Sequence, residues 1–493
     1  MMIRPFLGAL LTVWLVNPVP AADRILPNIV IIMADDLGYG DLSPYRKGGV
    51  RTPGCERIAA EGMKFTDAHS PSAVCTPTRY SLLTGRYAWR SWLQNWVLSE
   101  RMPLLIEEDT PTLPSMLREA GYRTACVGKW HLGFGREMDA YQNNDFSVGP
   151  NTVGFDWFFG VPFSHNSSPE MEVFVENDRI VGLPEGRTVW DPVGLSSARR
   201  SLENTAGDLS NAAVHFIREN HDRPFFLYYA TTNVHFPITP HAAFRMRARG
   251  DDFEGLYDGF VAEFDWAVDQ ILRTLDRLEL ANDTLIAVTS DNGGSLGFGA
   301  NNDPWRGTKA EIYEGGHRVP LLVRWPGRVP AGSESAETVV LSDFYATCAE
   351  IIGRSLPETE APDSVSWLPL IDPDRERDFI RRPIVHHSIT GIFALRDGDW
   401  KYIDGAGSGR ERFAIGLKDQ EAVVVRRPDG GYEPFSFRPN PPAVADGQPP
   451  GQLYHLGEDP GETRNLYETH PEIVDRMKKQ LDAIRGSNRS LFR

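Results

Sequence analysis

Cys75 stands in Cys75-Thr76-Pro77-Thr78-Arg79, and the chain runs on through Ser81-Leu82-Leu83-Thr84-Gly85-Arg86. Elsewhere lie groups able to act on a charged substrate. Asp35-Asp36 and Asp291-Asn292 offer hard oxygen donors suited to calcium, and magnesium stays open because sequence carries no geometry. Lys129, His131, His235 and Lys309 offer cations and bases. Each has a bland alternative. An Asp-Asp pair is often a turn or helix cap, Asp-Asn-Gly a tight turn, Lys-x-His a solvated loop and Lys309 a surface lysine. A cysteine before a proline turn is often just a small buried side chain. Position is what raises several of these groups above the bland reading, so the elements that carry them come next.

From Pro27 to about Gly353, short β-branched or aromatic runs alternate with longer helical stretches, the pattern of an α/β fold with a mostly parallel sheet. Asn28–Met33 is a continuous apolar run, as for a strand buried on both faces. Thr124–Val127, Phe225–Ala230 and Leu285–Thr289 read as further strands. Thr52-Pro53 predicts a helix start, with Thr52 as N-cap and Gly62 closing it. Leu113, Met116, Leu117 and Ala120 predict a helix ended by Gly121. Phe260–Leu280 predicts a long amphipathic helix with Phe264, Val268, Ile271, Leu272 and Leu275 on one face. Asp35-Asp36 follows the first strand, Lys129 and His131 the second, His235 the third and Asp291-Asn292 the fourth. Ligands bind outside the carboxyl ends of the strands in such sheets, so four strand ends deliver acids, bases and cations to one edge. The texture changes after about residue 375. Pro383–His387, Phe393–Arg396, Trp400–Ile403 and Leu453–His455 read as short strands, Gly405–Gln452 as a long irregular excursion, and Pro471–Ile484 as a closing helix.

The 493 residues are 41% hydrophobic and 11% aromatic, enough for a large core. A formal net charge of −16 argues against nucleic acid or anionic membranes as partners, so an anionic substrate needs a local cationic pocket. Arg4, the apolar run Phe6–Val16 and Pro20-Ala21-Ala22 read as a secretory signal over residues 1–22, too short to span a bilayer. The mature chain is therefore expected to be exported, periplasmic or secreted, without a transmembrane span. The remainder divides into an α/β domain over 23–374 and a small C-terminal α+β subdomain over 375–493. The 4 cysteines, Cys55, Cys75, Cys126 and Cys348, are too few for a disulfide framework, and the three besides Cys75 read as buried apolar residues.

Cys-x-Pro-x-Arg followed by Leu83-Thr84-Gly85-Arg86 resembles the signature of the formylglycine-dependent sulfatases. Gly128-Lys129-Trp130-His131-Leu132-Gly133 and His235-Phe236-Pro237 are similar to further segments of that family, as is Lys309 before Glu314-Gly315-Gly316. Gly160-Val161-Pro162-Phe163-Ser164-His165 resembles its arylsulfatase A and N-acetylgalactosamine-6-sulfatase branch. The resemblance covers nearly the whole chain, including Leu453-Tyr454-His455-Leu456 and Asp459-Pro460-Gly461-Glu462-Thr463 in the tail. Asn233-Val234 departs from the family's usual Ala-Pro without touching His235.

The resemblance implies an alkaline-phosphatase-like α/β sandwich and hydrolysis of a sulfate monoester, most simply on a sulfated sugar. It implies that a formylglycine-generating or sulfatase-maturing enzyme oxidises Cys75 to 3-oxoalanine. One hydroxyl of the aldehyde hydrate then attacks sulfur, and the other collapses to the aldehyde and expels sulfate. Calcium falls to Asp35, Asp36, Asp291 and Asn292, with the modified Cys75 side chain also at the ion. Arg79 holds the hydrate and the metal site in place. Lys129 and Lys309 neutralise sulfate oxygens, His131 assists collapse as a base, and His235 faces the leaving-group oxygen. Ser164 binds the sulfate and His165 neighbours the pocket. Two other functions fit part of the pattern. A phosphonate or phosphodiester hydrolase of the same superfamily would use the same residues. A non-catalytic binder of sulfated glycans with an unmodified Cys75 would not need the full set of acids, lysines and histidines.

Overall fold

A computed structural model describes residues 26–165, 168–245, 253–373, 383–410, 425–427, 429, 431–435 and 448–490. The expected signal over 1–22 and most of the Gly405–Gln452 excursion lie outside these residues. A 10-stranded sheet runs through the larger part of the molecule. Its middle is five parallel strands in the order Thr284–Ser290, Asn28–Ala34, Phe225–Ala230, Arg123–Lys129 and Trp157–Val161. Leu321–Arg324 adds antiparallel at one side, and Val175–Glu176 at the other.

Alternation along the first strand builds both cores. Ile29, Ile31 and Met33 face one layer with Tyr80, Leu83, Leu117 and Phe344. Val30, Ile32 and Ala34 face the other with Phe264, Val268, Ile271 and Leu275. That second set lies on the 25-residue helix Phe253–Arg277, which begins seven positions before the apolar stripe predicts. The predicted helix at Pro53 is present as Pro53–Glu61, but Thr52 does not cap it. Its hydroxyl instead accepts from the Ser43 amide at 3.0 Å.

A second sheet of four antiparallel strands, Ile384–His387, Phe393–Asp397, Trp400–Ile403 and Gln452–His455, forms the small C-terminal layer. The helix Pro471–Gly486 closes it through Val474, Met477, Leu481 and Ile484, which pack on Val385, Leu395 and Tyr402. This layer also braces the segment before Cys75. Ala73 donates its amide to the His387 carbonyl at 3.1 Å, and Ala310 donates to Ala73 at 2.8 Å. All four cysteines are buried and unbridged. Among the described residues no helix is long and apolar enough to cross a membrane.

Candidate active site

All five parallel strands end on one edge, and each leads into a polar group. The sequence exposed four of these ends; the fifth, Trp157–Val161, leads to Ser164. The ladder bonding continues past the strands. Asp35 donates its amide to the Asn233 carbonyl at 2.7 Å, and Asp291 to the Ala34 carbonyl at 3.1 Å. These bonds fix where the carboxylates leave the sheet. Asp36 turns the chain in the left-handed region at φ 66°, which Asp tolerates better than most residues. Lys129 is the last residue of its strand rather than the first of the loop. Gly128 before it has φ 113°, and a Cβ there would lie 1.8 Å from the Ala230 carbonyl, so only glycine lets these two strands meet.

Cys75 opens the buried helix Cys75–Thr84, which points its first residue into this edge. Its Sγ lies 3.3 Å from His131 Nδ1. His131 Nε2 lies 3.1 Å from the Leu98 carbonyl. A carbonyl only accepts, so Nε2 carries the hydrogen and the lone pair of Nδ1 faces position 75. Burial first, then Lys129 and Arg79, hold His131 far below the usual imidazole range and keep it neutral. Burial also pushes the Cys75 thiol up, by more than Lys129 and Lys309 pull it down. The unmodified side chain is thus a thiol and a weak nucleophile.

Around it, acids and cations interlock. Lys129 Nζ donates to both Asp35 oxygens at 2.9 Å. Lys309 Nζ donates to Asp36 Oδ2 at 2.7 Å. Arg79 donates to Asp291 Oδ2 at 2.6 Å and to the Lys129 carbonyl at 3.1 Å. Burial alone would raise Asp36, but Lys309, His235 and Lys129 outweigh it and hold the carboxyl well below its usual range. At Asp291 burial prevails over Arg79, with Asp35 adding repulsion, and the pKa rises to about 6.

His235 Nε2 lies 3.3 Å from Ser164 Oγ and 3.7 Å from Asp36 Oδ2, while its Nδ1 donates to the Phe236 carbonyl at 2.6 Å. Burial, then Lys309, hold it to about 3 against the pull of Asp36. Ser164 Oγ is also 3.5 Å from Lys129 Nζ. His165 is fully buried behind Ser164, with Nε2 2.9 Å from Thr239 Oγ1.

The donor set suits a hard cation. Donor atoms of Asp35, Asp36 and His235 lie within 4.8 Å of one another. Asp291 Oδ1 is held nearby by the Asp36 amide at 3.2 Å. Asn292 Nδ2 bonds Asp36 Oδ1 at 2.9 Å, which leaves Asn292 Oδ1 buried without a partner. A buried orphan carbonyl beside three carboxylates fits an oxygen-coordinated ion.

The family model for sulfatases matches residues 27–353, well over half of the chain. The chain belongs to the sulfatase family. It is 31% identical to an N-acetylgalactosamine-6-O-sulfatase of Bacteroides thetaiotaomicron, with 93% of each chain covered. It is 30% identical to arylsulfatase A of Bos taurus, covering 93% of this chain and 88% of the relative. A solved Bacteroides thetaiotaomicron chain, described under metabolism of multiple glycosaminoglycans, superposes with a TM-score of 0.77 at 30% identity, covering 94% of this chain and 100% of that one. The chain is thus a sulfatase with the alkaline-phosphatase-like fold expected of it.

Two orienting groups of this sulfatase were beyond sequence reasoning. Leu98 acts through its carbonyl, which no side-chain pattern reports. Thr76 occupies a free position of the Cys-x-Pro-x-Arg motif. Its hydroxyl donates to the His131 carbonyl at 3.2 Å and accepts from the Leu98 amide at 3.2 Å, tying the His131 loop to the helix that Cys75 opens.

Proposed function

We propose that this sulfatase hydrolyses a sulfate monoester on a sulfated carbohydrate, that it is exported, and that Cys75 is converted to formylglycine. The observation that carries the reading is the convergence of Cys75, two lysines and two histidines on one cluster of oxygen donors at the sheet edge. The N-acetylgalactosamine-6-O-sulfatase relative supports a sugar as the leaving group. Asp35, Asp36, Asp291 and Asn292 would hold calcium, with the modified residue 75 beside it. In place, the aldehyde hydrate supplies an oxygen nucleophile and calcium supplies a Lewis acid and template.

The chain's own residues do the rest. Lys129 and Lys309, which would share Asp35 and Asp36 with a bound divalent ion, are placed to neutralise sulfate oxygens. Ser164 Oγ, between Lys129 and His235, binds the same group. His131 Nδ1 is positioned to take a proton at residue 75, and Arg79 locks Asp291 and the strand end in place. His235 Nε2 is where a proton can be held near the leaving oxygen.

The test is paired product release from the matured enzyme with calcium. Inorganic sulfate and phosphate are followed from matched sulfate and phosphate esters, including sulfated mono- and disaccharides. Selective sulfate release from a sugar is the expected result. Faster phosphate release would reassign the same residues to a phosphohydrolase, and tight sugar binding without turnover would leave a binder.

A further inference from the structure

Among the described residues, six large hydrophobic side chains are well exposed, and two of them flank the pocket: Phe236, 39% exposed, and Leu296, 48% exposed. Phe236 follows His235 directly and accepts the His235 Nδ1 hydrogen on its carbonyl. Leu296 lies on the short turn Leu296–Phe298, which is bound to the Lys309 segment. Its amide donates to Thr308 Oγ1 at 3.0 Å, and the Lys309 amide donates to Gly294 at 3.1 Å. The two loops meet through Phe236 and Phe298, whose rings stack with centroids 4.7 Å apart and planes 21° apart. His235 and Lys309 both reach Asp36 Oδ2, at 3.7 Å and 2.7 Å. The apolar patch therefore borders the place where the ester oxygen must sit.

Exposed apolar rings on a soluble protein carry a cost that is recovered when a partner covers them. Phe298 stacks against Phe236, which still keeps 39% of its surface exposed. We infer that Phe236, Phe298 and Leu296 form a platform for the ring that bears the sulfate, packing against the apolar C–H face of a pyranose. The inference rests on the carbohydrate reading above and adds which side chains select the leaving group. None of the three supplies charge or a proton. Their contribution is binding energy used to align the ester oxygen with His235.

The test compares kcat/KM for N-acetylgalactosamine 6-sulfate, and the other sulfated pyranosides the enzyme accepts, with that for a short acyclic alkyl sulfate. In Phe236→Ala the ring-to-acyclic ratio is expected to fall about 10- to 100-fold, the range a lost apolar contact gives. Leu296→Ser, on the other loop, is expected to move it the same way by less, and Phe236→Tyr to restore most of it. If both substrates fall together and the ratio holds, the loop merely positions His235 and the platform is wrong. If Phe236→Ala proves unstable, an unchanged ratio in Leu296→Ser overturns it as well. A wild-type enzyme that cleaves the acyclic ester but no pyranoside would instead defeat the carbohydrate reading, an outcome visible before any variant is made.

Discussion

The pocket at the strand ends sets Asp35, Asp36 and Asp291 against Arg79, Lys129 and Lys309; where the second sheet packs on the first, Asp67, Glu314 and Glu462 face Arg318, Arg396 and Lys401. Both clusters are buried, and each balances three acids with three cations. The second adds His69, His317 and His386, whose donor atoms lie within 4.8 Å of one another, so it too could pass for a metal site. Its geometry argues otherwise. The His317 and His386 rings stack at 3.9 Å and 14°, so their in-plane lone pairs run side by side instead of converging. Lys401 Nζ lies 3.1 Å from His317 Nε2, His317 Nδ1 3.1 Å from His69 Nδ1, and His69 Nε2 2.8 Å from Asp67 Oδ1. Lysine only donates and carboxylate only accepts, so the chain of bonds has one direction and uses both imidazoles. The pocket differs in access: the Lys309 side chain is 18% exposed where that of Lys401 is at 0%. Buried charge alone does not mark a site. A site is marked where charged groups can exchange partners with something that enters.

The contrast breaks first at Cys75. Cys75→Ala is expected to lower sulfate release by about 10⁴-fold or more while the thermal midpoint stays near wild type. Residual turnover above background would remove the formylglycine mechanism. Next, Asp291→Ala is expected to lose calcium and about 10³-fold in activity. Calorimetric titration showing undiminished calcium binding would mean the ion sits elsewhere. On the other side of the comparison, Lys401→Met removes the ammonium that Glu314 and Glu462 share, leaving Glu314 to Arg318 and Glu462 without its cation in the interior. It is expected to cost about 3 kcal/mol or more of stability while calcium stoichiometry is unchanged. A variant that kept its stability but lost calcium would reverse the roles assigned to the two clusters.

The pocket was legible because its members follow strands at short distance and sit in compact motifs. Asp35, Lys129 and Asp291 each fall within two residues of an apolar run. The second cluster was not legible, because its members come from separate stretches, Asp67–His69, Glu314–Arg318, His386–Lys401 and Glu462, that only the docking of the second sheet brings together. Glu314 was visible only as a marker for Lys309, and its pairing with Lys401 at 3.0 Å depends on how the second sheet docks. The early start of the long helix was hidden for a similar reason. Glycine is a poor helix former, yet the helix runs through Gly259, where a Cβ would come within 3.1 Å of the Phe244 carbonyl, so the glycine serves close packing. Tertiary contact, not local propensity, decides such positions.

Acid sharpens the comparison with the smallest effect per step. Burial first, opposed by Asp67, lowers His69 from its ordinary value to about 4, and burial holds His317 and His386 well below theirs. The groups facing them are Asp67, Glu314, Arg318, Arg396 and Lys401. As pH falls below about 6.5, the unfolded chain takes up protons that the folded cluster refuses, so stability falls with pH. For His69 this continues until pH approaches its folded value. Each such histidine contributes a slope of about 1.4 kcal/mol per pH unit. His131 and His235 in the pocket are lowered too and contribute in the same sense, so the share of the second cluster is read from the difference a variant there makes. His386→Phe keeps a ring on His317 and removes one imidazole, and it is expected to reduce the slope by about one histidine's share. Denaturant unfolding at several pH values between 4 and 6.5 checks this. An unchanged slope in His386→Phe would place the acid sensitivity in the pocket, and the two clusters would then differ less in their response to protons than their geometry implies.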